Sequence, residues 1–119
     1  MEDIYPIYRN SYGMSFQWKR DIIRNSFNKI QVIFRDTGFY LSVEEIQDFS
    51  NKIKEAEARG ACNCCGKSQP ETRSILLKTP CNTVDLAVNQ QELSLINELV
   101  EGTLFQINLD SYLNKLCNN

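Results

Sequence analysis

The run Cys62-Asn63-Cys64-Cys65-Gly66-Lys67 holds the densest potential chemistry in the chain. It contains C-x-x-C-G-K, the pattern of a zinc knuckle, in which glycine permits a tight turn and backbone N–H groups face the thiolates. Lys67 would ease ionisation of a neighbouring thiol. Cys62, Cys64 and Cys65 are therefore the candidate metal ligands, and zinc is the candidate metal. A closed structural site wants four ligands, and the sequence offers one knuckle. Cys81 follows, but it falls in a turn at the far end of a strand that begins near Arg73, on the order of 20 Å away in extended chain. Cys117 belongs to the last helix. Ligand count argues against a genuine site, so no cofactor is expected. A thioredoxin-like reading is weaker still: the motif follows a helix and precedes a strand, so no helix N-terminus lowers a thiol pKa. The plain alternative is a set of thiols in a surface linker.

Histidine is absent. That removes Ser-His and Cys-His pairs, His-ligated zinc and the usual general base near neutral pH. Glu44 and Glu45 sit in a first helical turn, where carboxylates complement the helix dipole without further role. No glycine-rich phosphate loop, GxSxG or EF-hand string occurs. An enzyme would thus have no nameable catalytic residues. Arg9, Lys19, Arg20, Arg24, Lys29 and Arg35 interleave with Tyr5, Tyr8, Tyr12, Phe16 and Trp18, the mixture that single-stranded nucleic acid needs. Alternating aromatics are more often one buried face of a strand, and the net charge of −2 argues against a nucleic-acid partner.

These residues need elements to hold them, and the chain suggests two similar ββα units. Residues 30–34 and 39–41 flank Arg35-Asp36-Thr37-Gly38, while 75–79 and 84–88 flank Pro80-Cys81-Asn82-Thr83; each set reads as a hairpin. Each hairpin runs into a capping box, Ser42 with Glu45 and Asn89 with Glu92. The first helix then carries Ile46, Phe49, Ile53 and Ala56 on one face, and the second Leu93, Ile96, Leu99 and Val100. Met14, Phe16 and Trp18 alternate with Ser15 and Gln17 as a preceding strand. Residues 20–28 read as a wide turn or loop. Gly102 breaks the second helix, Leu104, Phe105, Ile107 and Leu109 suggest a short strand, and Asp110 caps a last helix with Leu113 and Leu116.

The expected fold is α+β: two ββα units forming an antiparallel sheet with the helices packed on one face. A chain of 119 residues suits one domain over 1–119. Its first unit is about 30–59, its cysteine-containing linker 60–72, its second unit about 73–101 and its C-terminal strand and helix 104–117. The open sheet edge wants pairing, which a second copy supplies economically.

The string Phe34-Arg35-Asp36-Thr37-Gly38-Phe39-Tyr40-Leu41, with Glu44-Glu45 and Phe49 and the later Arg73-Ser74-Ile75-Leu76-Leu77-Lys78-Thr79-Pro80, resembles an uncharacterised family of small bacterial proteins, a domain of unknown function. The resemblance covers most of residues 9–105 and rests on hydrophobic and turn pattern. Members of that family carry cysteines before the second unit. The resemblance implies a bacterial intracellular protein and brings no activity, cofactor or catalytic residue.

No signal-peptide pattern opens the sequence and no apolar run reaches the ~20 residues of a membrane span, so a cytoplasmic location without a membrane partner is expected. An odd count of five cysteines also suits reduced thiols rather than a disulfide framework. The leading functional expectation is a non-enzymatic protein-interaction or regulatory module, dimeric through self-association. The competing one is a small metal-binding or thiol-redox protein built on Cys62, Cys64 and Cys65.

Overall fold

The computed structural model describes residues 3–23, 29–59 and 71–117. Strands β1 (Ile4–Arg9) and β2 (Gly13–Trp18) lead to a short helix, α1 (Lys19–Ile23). Strands β3 (Lys29–Phe34) and β4 (Thr37–Ser42) lead to α2 (Val43–Arg59), and β5 (Ile75–Lys78) and β6 (Asp85–Val88) lead to α3 (Gln90–Cys117). The class is α+β. β1 to β4 form an antiparallel meander in chain order, and β5 and β6 pair in a separate two-stranded sheet.

Both capping boxes form. Ser42 Oγ accepts from Glu45 N at 3.2 Å while Glu45 Oε1 accepts from Ser42 N at 2.8 Å. Asn89 Oδ1 accepts from Glu92 N at 2.7 Å, and Glu92 Oε1 accepts from Asn89 N at 3.0 Å. Each box fills backbone donors that a helix start leaves without partners. The expected helix faces are the buried ones. Ile46, Phe49, Ile53 and Ala56 of α2 meet Leu93, Ile96, Leu99 and Val100 of α3 in one core with Ile30, Val32, Phe34, Phe39 and Leu41. Phe34, Phe39 and Phe49 form an aromatic centre with ring centroids 5.7 to 6.5 Å apart. Burial on this scale is the main stabilising term of the fold.

The two hairpins do not merge into one sheet as expected. The second docks on α2, which takes backbone carbonyls that a neighbouring strand would otherwise satisfy. Arg59 donates to Leu76 O at 2.8 Å and Lys52 donates to Thr79 O at 3.0 Å. A strand not anticipated, β1, forms the edge beside β2. Pro6 and a register shift between Pro6 and Tyr8 interrupt its ladder. Proline and bulges are the usual means of blunting an edge, so this one is a poor template for pairing.

Phe16 is buried at 4% exposure, as an aromatic strand face suggests, but on the side of β2 away from the main core. Ser15 is opposite Val32 and Phe16 is opposite Gln31. Cross-strand partners share a face. Ser15 therefore joins the core side with Val32, and Phe16 and Trp18 lie on the other side, edge to face at 5.1 Å. The reason is close packing. Ser15 Oγ and Thr103 Oγ1 of α3 are 2.6 Å apart and both residues are fully buried. A large side chain at position 15 would hold α3 away from the sheet.

The largest correction concerns the C-terminal region. The expected strand over residues 104–109 is helix, continuous with α3, and Gly102 is no break. The apolar positions Leu93, Ile96, Val100, Leu104 and Ile107 continue one inward stripe at spacings of three and four. At ~1.5 Å per residue this helix is about 42 Å long. It underlies a molecule measuring 55 × 28 × 26 Å. Residues 20–23 of the stretch expected as a loop belong to α1, and residues 24–28 of it lie outside the described residues.

Candidate functional site

Cys62, Cys64 and Cys65 lie outside the described residues. Cys81 is exposed in the turn between β5 and β6, beyond the end of β5, as its spacing from Arg73 required. A hydrogen bond from Thr83 draws its thiol pKa below the ordinary value. Among the described residues no group of His, Cys, Asp or Glu side chains is arranged to hold a metal ion.

A polar junction not foreseen from the sequence centres on Glu92, which is only 8% exposed. Its Oε1 accepts from Arg73 Nε at 3.0 Å, and its Oε2 accepts from Arg73 Nη2 at 2.8 Å and from the Tyr12 hydroxyl at 3.0 Å. Arg35 Nη1 stands 3.8 Å from the same oxygen. The Arg73 hydrogen bonds, ahead of the opposing burial, hold the Glu92 pKa down to about 2. Burial, then the bond to Glu92, pushes Tyr12 up to about 12. Arg35 adopts φ 53° in the two-residue β3–β4 turn, the left-handed region that side chains disfavour. The junction joins the β1–β2 turn, the β3–β4 turn and the start of α3. Glu92, Arg73 and Tyr12 satisfy one another while the buried Arg35 Nε has no hydrogen-bond partner, and together they clamp the two halves of the chain. No feature of local spacing signals it, since Tyr12, Arg73 and Glu92 are far apart in sequence.

Three of the basic residues of the amino-terminal region pair with aromatic rings of the same chain, and Arg24 lies outside the described residues. Lys19 lies over the Tyr5 ring at 5.2 Å, Arg20 over Trp18 at 4.8 Å and Lys29 over Tyr40 at 5.7 Å. The Tyr40 hydroxyl donates to Asp21 at 2.6 Å, and that bond raises its pKa. An open groove of ≈ 500 Å³ between α2 and α3 includes Ser50, Lys54, Glu101 and Phe105. Three of its polar groups engage one another: Ser50 donates to Glu101, and Lys54 Nζ is 3.9 Å from Glu101.

A run of large apolar side chains stays exposed on the outer face of the second half of α3. Phe105 is 64% exposed, Tyr112 59%, Leu116 56%, Leu113 46% and Leu109 36%. Phe105, Leu109, Tyr112 and Leu116 follow a 4-3-4 spacing, the seam of a two-stranded coiled coil, with Leu113 beside it. That spacing is visible in the sequence; reading residues 104–109 as a strand concealed it. The side chains expose on the order of 500 Å² together, at the upper end for the largest apolar patch of a monomer. No helix among the described residues is long and apolar enough to cross a membrane.

No family model, no curated protein and no solved structure matches the chain.

Proposed function

We propose that the chain is a non-enzymatic protein-interaction module and that the second half of α3 is its contact element. The observation that carries this reading is the exposed apolar seam from Phe105 to Leu116. Apolar helix faces of this kind are covered in their working state, because leaving them in water forfeits the burial that aromatic and leucine side chains provide. The titratable groups support the reading from the other side: Glu92, Arg73, Tyr12 and Asp21 engage neighbours instead of facing a vacant cleft. A bacterial, cytoplasmic setting belongs to the same proposal, supported by the resemblance above and by the odd cysteine count.

A photo-crosslinking residue placed at Leu113 tests it in the cell of origin. A discrete adduct from position 113, with none from an exposed control such as Glu57, is the expected result. No adduct from Leu113 would overturn the reading, and the mass of an adduct identifies what lies on the face.

A further inference from the structure

We propose that the occupant of this face is a second copy of the same chain, with the two α3 helices antiparallel. The inference rests on the interaction reading above and names its partner.

The area is the first support. With on the order of 500 Å² on each copy, the seam side chains alone give a pair on the order of 1,000 Å², the lower bound for a specific interface. Flanking polar residues add to that figure. Charge is the second. Between Gly102 and Cys117 the charged residues are Asp110 and Lys115, one of each sign and neither in the seam. Two copies therefore meet without like-charge repulsion.

Continuity with the body of the protein sets the direction. Positions 102, 109 and 116 are seven apart and share one helix face. At Gly102 that face is covered by the chain itself: a Cβ there would fall 2.5 Å from the Tyr8 ring of β1. One turn further back, Asn10 donates from its side chain to Leu95 O at 2.9 Å and to Glu98 at 2.8 Å. The β1–β2 hairpin thus occupies the seam down to Gly102, and beyond it the same face is bare. A parallel, in-register partner would have to put its own body where Tyr8 and β1 already sit. An antiparallel partner avoids this. Phe105 then meets Leu116 of the second copy and Leu109 meets Tyr112, each pair occurring twice about a two-fold axis. Such a contact is closed and self-complementary, so it stops at two copies.

The test uses the full chain and two single variants in sedimentation equilibrium. Leu109→Glu and Tyr112→Lys each place a charge at the centre of the pair and should weaken self-association by at least about 100-fold, because a buried charge is left without a partner. Both positions are exposed in the single chain, so far-UV circular dichroism should show unchanged folds. Ser111→Glu, away from the seam, controls for charge alone and should still dimerise. The wild type should run at twice its 13.8 kDa at micromolar concentration. An equimolar mixture of Leu109→Glu and Tyr112→Lys should recover the dimer, since the antiparallel pair sets the introduced carboxylate of one chain against the introduced ammonium of the other. Failure of the mixture to associate while the wild type dimerises would overturn the antiparallel geometry. A wild type that stays monomeric would overturn the second copy as occupant. A cellular adduct at Leu113 with a different protein would then still uphold the interaction reading, so the two ideas fail separately.

Discussion

Arg73 and Glu92 are joined by a forked pair of hydrogen bonds, Nε to Oε1 at 3.0 Å and Nη2 to Oε2 at 2.8 Å. Bidentate guanidinium–carboxylate pairs are among the stronger charged contacts in proteins. Here the carboxylate is also the capping-box residue of α3, so one side chain starts the helix and ties the segment before β5 to it.

This pair gives the fold an acid limit. The Glu92 carboxyl is held at about 2 against an ordinary 4.5. The folded state therefore binds its proton less readily than the unfolded state. The resulting stability is complete above pH 4.5 and is lost as pH falls toward 2. A shift of that size corresponds to at most about 3 kcal/mol, lessened because Arg73 is half exposed and solvent screens it. Thermal melts from about pH 6 down to about pH 2 should show a steeper acid loss for the wild type than for Glu92→Gln. Equal slopes would mean that the pair contributes nothing specific. At the other extreme Tyr12, raised from 10.0 to about 12, should cost stability between those two values as the unfolded chain ionises first. Tyr12→Phe should remove that alkaline loss.

The core assignments set a second expectation. Phe49 and Ile96 are fully buried in the shared core. Phe49→Ala and Ile96→Ala should each destabilise by about 2–5 kcal/mol in denaturant titration. Ser42→Ala should cost nearer ~1 kcal/mol, the usual cost of a lost N-cap. A neutral Phe49→Ala would contradict the packing of α2 against the sheet.

Much of this was legible because it is local. Ser42 with Glu45 and Asn89 with Glu92 announce helix starts through chemistry that spans three residues. Phe49 and Ile96 sit on stripes set by helical period alone. The misreadings have tertiary causes. Gly102 looks like a terminator, but it sits inside a continuous helix where the Tyr8 ring packs against it and would have to shift to admit a Cβ. Phe16 is buried as its pattern suggests, but away from the main core, because the close approach of α3 at Thr103 leaves room only for Ser15 on that side. The seam at Phe105 and Leu109 is hidden by that reading of Gly102. The clamp on Glu92 is out of reach of local pattern because it depends on how the β1–β2 turn, Arg35 and Arg73 converge.

The cysteine cluster can be tested independently. The buried apolar core among the described residues contains no cysteine. A chain of this length can build its core without metal. Purified, reduced protein should carry no stoichiometric zinc by elemental analysis, and Cys62→Ser with Cys65→Ser should melt close to the wild type. About one zinc per chain, with a large loss of stability on adding chelator, would establish the metal-binding alternative, since structural zinc binding is folding energy.

The most direct test of the account is amide hydrogen exchange across residues 104–116 at low and high protein concentration. In a single chain this stretch of α3 has its outer face in water, and its amides should open far more readily than those of residues 93–100, whose helix face is buried. If a second copy covers the seam, protection over 104–116 should rise with concentration, and Leu109→Glu should abolish that rise. Exchange over 104–116 that is the same at every concentration in the wild type would contradict the claim that this face is built for a second copy of the chain.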